Sequence, residues 1–446
     1  MIRMSPTIST WLTRLLLVLC IVIFVGHLAI ILQNAVNVPF WDEWGILSPD
    51  ALPAGFTFKW TLRQANEHRV VLTKLQSWLL FYLDGHNHIV SLIFAYLLWG
   101  VLLACIVFFA RKMTPHVPVW VVLAFILLLL TPINWENNSW GFESCYRFAV
   151  LFPLLAVYFL FREPQTRSRL ALGVVMCVLG TYSFFAGLLA VCIAMVVFAV
   201  FKIIRALNAS GAQRRVEYVQ LLAVVTPVLI FVALYFVDYH RVSYHPKLAF
   251  PWEASFWRFF NDLVSWGFGF ETHSVILGGF CLLLVLAPVV AKIWRKRFRL
   301  PGSSWAVYAY SLAWLAVLAS IAMGRTNFSP SAKISRYADF GMMLVPFTAL
   351  AWAIFLKDKP KLKKYVLVGF WVFCSLGFSY KWLWYRQYRV QRDSRLEGVA
   401  CIKSYYKTGQ PGICPTIYAA PIGGMLDRAK SLNLSFYREI QGSDQQ

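Results

Sequence analysis

Four groups of residues in this chain combine types that can move protons and hold anions. The first is Asp42 and Glu43, inside Pro39-Phe40-Trp41-Asp42-Glu43-Trp44. The second is Glu67, His68 and Arg69. The third is Trp135, Glu136 and Asn137 with Asn138, Trp140 and Glu143, and the fourth is Arg325, Lys333 and Arg336. A carboxylate within hydrogen-bond reach of a hydroxyl can take its proton as the oxygen attacks. A guanidinium grips phosphate through its fork and neutralises charge on a departing phosphate oxygen. Such groups together suit displacement of a phosphate by a hydroxyl, with Asp42 as base and Glu43 supporting it or orienting the acceptor. Arg336 and Arg325 would then hold the leaving phosphate, and Glu67, His68, Arg69, Trp135, Glu136, Asn137, Trp140, Glu143 and Lys333 would bind substrate.

Each group also has an ordinary structural role to play. Glu67 and Arg69 can form an interfacial ion pair of little energetic weight, and His68 can pack at an interface. The segment around Glu136 can cap helices. Arg325, Lys333 and Arg336 can meet lipid headgroups nonspecifically.

The elements that must position these residues are set by composition. At 59% hydrophobic, 17% aromatic and 14% charged over 446 residues, the chain carries more apolar surface than one globular core can hide. It reads as an all-α polytopic membrane protein. The net charge of +22 sits in short basic clusters between apolar runs, the pattern of a topology signal. No basic stripe with stacking aromatics stands apart from those runs, which argues against nucleic acid as a partner and for a lipid bilayer. Arg14 followed by the apolar run 15–32 reads as a retained signal anchor. Further crossings are expected near 88–110, 117–131, 148–161, 218–236, 274–291, 305–323, 338–356 and 365–380. The run 170–201 has basic residues at both ends, so two short helices turning near 181–187 keep both ends on one side and bring the total to about 11.

With that topology the basic clusters share the N-terminus's side, and the other side receives residues 34–87, 132–147, 237–273, 324–337 and the chain after 380. All four chemical groups fall there. Within the loop 34–87, residues 70–83 are apolar but too short to span, with Leu72, Leu75, Trp78 and Leu79 on one helical face and Arg69 and Lys74 able to reach the interface. That pattern predicts a helix lying along the membrane surface. Trp41, Trp44, Trp252, Trp257 and Trp266 suit the headgroup level. A composition shift near 385 divides a transmembrane domain, 1–384, from a polar tail, 385–446. Cys401 and Cys414 lie together in that tail and can pair if it faces an oxidising compartment. The other cysteines are scattered through apolar stretches, and no His/Cys cluster suggests a metal.

A signal-anchor helix followed at once by a large outer loop with an Asp-Glu pair resembles the GT-C superfamily of membrane glycosyltransferases. The succession Pro-Phe-Trp-Asp-Glu-Trp, Asn-Glu-His-Arg and Asn-Trp-Glu-Asn-Asn-Ser-Trp-Gly-Phe-Glu is similar to a bacterial group of GT-C proteins. Length and polar C-terminal tail are similar to the phage and bacterial glucosyltransferases that decorate O-antigen. The resemblance implies a GT-C-like fold with an interfacial helix in the first periplasmic loop, and an early acidic residue, here Asp42, as catalytic base. It implies a polyprenyl-phosphate sugar as donor and a glycan such as O-antigen or another envelope polysaccharide as acceptor. In-line attack would invert the anomeric centre. Residence in the bacterial inner membrane follows, with a cytoplasmic N-terminus and a periplasmic tail. The superfamily leaves a divalent metal open, although no ligand set here specifies one. The large soluble sugar-binding domain of some members is absent. The rival readings are a transporter or flippase for a lipid-linked sugar, which would favour midplane charges or internal repeats, and an O-antigen polymerase or ligase.

Overall fold

A computed structural model describes residues 6–442 apart from 244, 272, 330 and 411; the last four residues of the expected tail, 443–446, lie outside it. Ten helical stretches are long and apolar enough to cross a bilayer: Thr7–Gln33, His88–Met113, Val119–Ser139, Gly141–Phe161, Phe185–Leu207, Gly211–Tyr235, Val275–Lys296, Gly302–Arg325, Ser335–Phe355 and Pro360–Thr408. The chain is thus an all-α, multi-pass protein suited to a lipid bilayer. The expected eleventh crossing forms as the helix Arg167–Thr181, whose 15 residues fall short of the roughly 20 that a full span needs. The helix breaks at Tyr182, Ser183 and Phe184 and resumes at Phe185, so 170–201 is a helical hairpin.

These stretches are helical because a continuous apolar run leaves the backbone no better partner than itself. Their ends follow local chemistry. Asn87 accepts from the Ile89 N–H and starts the helix His88–Met113, which ends at Arg111 and Lys112. Helices Ala254–Gly267 and Ala338–Met342 pack backbone to backbone. A Cβ on Gly267 would lie 2.6 Å from the Gly341 backbone, so only glycine permits that approach.

The polar segments sort to the two ends of the bundle. At one end Lys202 is fully buried against Glu217 at 2.6 Å, and Arg205 pairs with Glu163 and Glu217. The other end gathers residues 34–87, 131–143, 236–274 and 325–337 and the chain after 379. There a second core forms between the first loop and the tail: Trp44, Ile46, Leu47, Leu52 and Trp60 pack with Ile402, Ile417, Leu426, Phe436 and Ile440. The strands Ile413–Cys414 and Tyr418–Pro421 pair antiparallel in this unit, and Cys401 is disulfide-bonded to Cys414.

Two expectations about the outer segments are corrected. Trp44 and Trp266 do not sit at a surface: both are fully buried, Trp44 edge-on to Phe436 of the tail and Trp266 beside Trp384. Only Trp41 of the first pair is exposed. Lys74 and Arg69 do not reach outward either. The Lys74 ammonium donates to the carbonyls of Trp60 and Arg63 at 2.6 Å, and Arg69 is buried. The helix Val71–Asp84 turns Thr73, Lys74, Gln76 and Ser77 toward the protein and leaves Leu75, Trp78, Leu79, Tyr82 and Leu83 exposed.

Candidate functional site

The site begins where the first helix ends. Phe40 is extended and Trp41 starts a tight turn, Trp41–Leu47. Glu43 closes that turn by accepting the Phe40 N–H at 3.0 Å on Oε2. Its Oε1 accepts the Phe142 N–H at 3.2 Å, and His88 Nδ1 lies 3.3 Å from Oε2. With 6% exposure and both oxygens engaged, Glu43 fixes the turn to residues 88 and 142.

Its neighbour is free of such duties. Asp42 is open to solvent and yet has protein groups close by on several sides. Burial raises its carboxyl above the ordinary range, the Glu67 and Glu43 charges add to that, and Arg336 and a hydrogen bond from Asn66 pull it back. Asn66 and Glu67 are presented by a tight turn in which Ala65 and His68 exchange backbone hydrogen bonds of 2.6 and 2.9 Å.

Glu67 is the meeting point of one guanidinium and two imidazoles. Arg325 hydrogen-bonds its Oε1, and the imidazoles of His68 and His245 lie 3.5 and 3.6 Å away. Burial raises the Glu67 carboxyl, but His68, Arg325 and His245 together hold it below the usual value. His68 lies against Phe184, with ring centroids 3.7 Å apart. Its burial pulls the imidazole down to about 4, which makes it neutral at pH 7.

Arg336 is held through its own backbone at both the N–H and the carbonyl. Glu136 Oε2 accepts the Arg336 N–H at 3.0 Å, and Asn137 Nδ2 donates to the Arg336 carbonyl at 3.0 Å. Ser335 Oγ accepts the Glu136 N–H at 3.1 Å and donates to Ile133 O at 2.8 Å, closing the clamp between the two segments. The guanidinium lies within electrostatic reach of Asp42, Glu136, Glu143 and Tyr146. Its Nε has no hydrogen-bond partner among the described residues, and neither has Oε2 of Glu143, which is 2% exposed.

Of the residues singled out from the sequence, Asp42, Glu67, His68, Glu136, Glu143, Arg325 and Arg336 come together. Others lie elsewhere. Arg69 spends its guanidinium on the carbonyls of Leu62, Tyr235 and Val237, tying the first loop to the end of helix Gly211–Tyr235. Lys333 donates to the Glu271 carbonyl. Trp140 is buried between Phe40 and Phe142, and Trp135 packs against the main core.

Beneath the site lies a polar network that the sequence reading did not single out. Arg147 and Asp339, both fully buried, meet at 2.9 Å. Asp339 also accepts from Asn134 and Asn137 at 2.7 Å. Arg147 donates to Asn138 at 2.7 Å and stacks over Trp99 at 4.3 Å. Asn138 reaches Tyr388, whose hydroxyl lies 2.6 Å from His27 Nε2. Lone charges inside apolar runs were the available signal. Asn137 joins this network to the Arg336 backbone.

Among the described residues, no three or more His, Cys, Asp or Glu side chains are grouped to hold a metal ion. The chain matches no protein-family model, no curated protein and no solved structure.

Proposed function

We propose that this chain is a membrane glycosyltransferase of GT-C-like arrangement. It moves a hexose from a polyprenyl-phosphate donor to a hydroxyl of a glycan or lipid-linked acceptor, such as O-antigen or another envelope polysaccharide. The observation that supports it is the closeness of a solvent-open carboxylate, Asp42, to a guanidinium, Arg336, whose charge acts on it and whose backbone is clamped by Glu136 and Asn137. Asp42 takes the proton of the acceptor hydroxyl as that oxygen attacks the anomeric carbon. The sugar–oxygen bond to the carrier breaks on the opposite face, and its electron pair stays on the phosphate oxygen. Arg336 neutralises that charge. Arg325, already engaged by Glu67, closes the neighbouring wall. One displacement inverts the anomeric centre.

The surroundings fit such a site at the outer face of a bacterial inner membrane. The end with Lys202, Arg205, Lys292 and the other basic clusters faces the cytoplasm by the positive-inside rule. The end with the site carries the Cys401–Cys414 disulfide, which belongs in an oxidising compartment. The helix Val71–Asp84 lies on the bilayer with Leu75, Trp78, Leu79, Tyr82 and Leu83 in lipid and its polar face on the protein.

A second reading, a flippase for a lipid-linked sugar, draws on the buried Arg147–Asp339 pair, since intramembrane charges mark transport paths. That pair is fully enclosed and hydrogen-bonded to three asparagines, two on Asp339 and one on Arg147, which favours a structural role. The test is Asp42→Asn in purified protein supplied with radiolabelled polyprenyl-phosphate sugar. Loss of a general base costs ~10²–10⁴-fold, so transfer should fall by at least two orders of magnitude while donor binding persists. Turnover at the native rate would remove Asp42 as base, and lipid translocation without covalent transfer would establish the flippase.

A further inference from the structure

Trp41 and Tyr418 come from opposite ends of the sequence and meet beside Asp42. Their ring centroids are 6.3 Å apart, with planes at 72°. Trp41 is 42% exposed, whereas Trp44 in the same turn is completely buried. Keeping Trp41 outside has a conformational cost. Its φ is +46°, in the left-handed region, which is unfavourable for a bulky residue and concentrates at ligand sites. The conformation is held by the tail: the Trp41 N–H donates to the Ile417 carbonyl at 2.9 Å, one residue before Tyr418. Behind the pair, Phe40 packs edge-on to Trp41 and Trp140, and Arg395 of the tail lies over Phe40 at 4.8 Å. Tyr418 is half-buried, and burial together with the Asp42 charge raises its hydroxyl, which places it in the field of that carboxylate.

Two rigid rings, braced from behind and partly exposed, stand next to a solvent-open carboxylate. The C–H face of a pyranose is apolar and carries slight positive charge, which matches the negative face of an aromatic ring. Tyr and Trp also lose little entropy on binding, because each has only two side-chain torsions. We propose that Trp41 and Tyr418 form an acceptor subsite that stacks a pyranose ring of the glycan, so that the tail, through Tyr418, selects the sugar presented to Asp42. The role of Asp42 as base rests on the transferase reading; the stacking does not. Lipid contact by Trp41 is the competing outcome, disfavoured because its neighbours are Asp42 and a polar tail hairpin.

Full-length protein in nanodiscs, titrated with a panel of lipid-free bacterial O-polysaccharide oligosaccharides by saturation-transfer-difference NMR, tests this. Ring C–H signals should appear for at least one oligosaccharide. Tyr418→Ala and Trp41→Ala should each weaken its binding at least ten-fold, whereas Tyr418→Phe and Asp42→Asn should retain it. Native-rate limited proteolysis of the region after 385 confirms that the tail of each variant is folded. Absence of binding to the native protein, or unchanged affinity in both alanine variants, overturns the subsite. So does quenching by brominated lipids of the fluorescence lost in Trp41→Phe. Binding through Tyr418 without sugar transfer would keep the subsite and overturn the transferase; transfer with an unchanged acceptor KM in Tyr418→Ala would do the reverse.

Discussion

Adjacent residues of one chemical type, Asp42 and Glu43, have opposite fates. Glu43 spends both oxygens on backbone N–H groups and lies beside His88; Asp42 keeps its carboxyl open to solvent. The sequence shows the pair and cannot divide it, because the division depends on Phe142 and Asn66 arriving from elsewhere. The raised Asp42 carboxyl sets two pH effects. The base works only when ionised, so kcat/KM for transfer should fall as pH drops through a value above that of an ordinary aspartate, and a midpoint at or below the ordinary value would contradict that shift. Folding stability runs the other way. Because burial disfavours the charged form, this carboxyl lowers stability as pH rises from its unfolded to its folded pKa. Asp42→Asn should therefore abolish transfer with a neutral-pH Tm no lower than the native value, measured by thermal unfolding in detergent. A clear drop in Tm would make Asp42 a structural residue.

At the scale of elements, the site depends on how the segment 131–147 grips the segment 335–342. Arg147 and Asp339 were legible as single charges in apolar runs, but the sequence could not match them: the pair needed three asparagines between them, two on Asp339 and one on Arg147, and a helix packing that only the fold supplies. Glu136 and Asn137 were legible as candidates, though not as groups that hold the Arg336 backbone. The hairpin 170–201 was readable because basic residues at both ends forced the chain back. Removing one partner of a buried pair leaves an uncompensated charge and costs about 3–5 kcal/mol, whereas an apolar replacement of both restores much of it. Asp339→Asn should therefore lower the thermal unfolding temperature and, by loosening Arg336, the transfer rate. Arg147→Met combined with Asp339→Leu should recover stability more than activity. Equal recovery of both would mean that the network does not position Arg336.

At the scale of the molecule, the polar stretch from 385 reads in sequence as an appendage, since its composition differs from everything before it. The structure instead gives it half of a core whose other half is the first loop. Trp44 was readable as an interfacial tryptophan because its true partner, Phe436, lies near the other end of the chain. Hydrophobic composition reveals that a residue seeks an apolar neighbour; it does not reveal whether the neighbour is lipid or protein. The consequence is that the turn holding Asp42 is anchored twice, by the membrane helices through Glu43 and by the tail through Trp44 and the Trp41–Ile417 hydrogen bond. Phe436 is fully buried, and Phe→Ala in a core costs about 3–5 kcal/mol. That loss falls on the core shared by the first loop and the tail, apart from the main core of the helices, so Phe436→Ala should loosen the tail while the helical bundle stays folded. Limited proteolysis of the full-length protein in detergent reads this directly: the variant should lose a fragment from the region after 385 at least ten times faster than the native protein, with the membrane part intact. Acceptor transfer should fall with it, because Tyr418 leaves the side of Asp42. Equal cleavage rates would show that the bundle alone holds the tail in place.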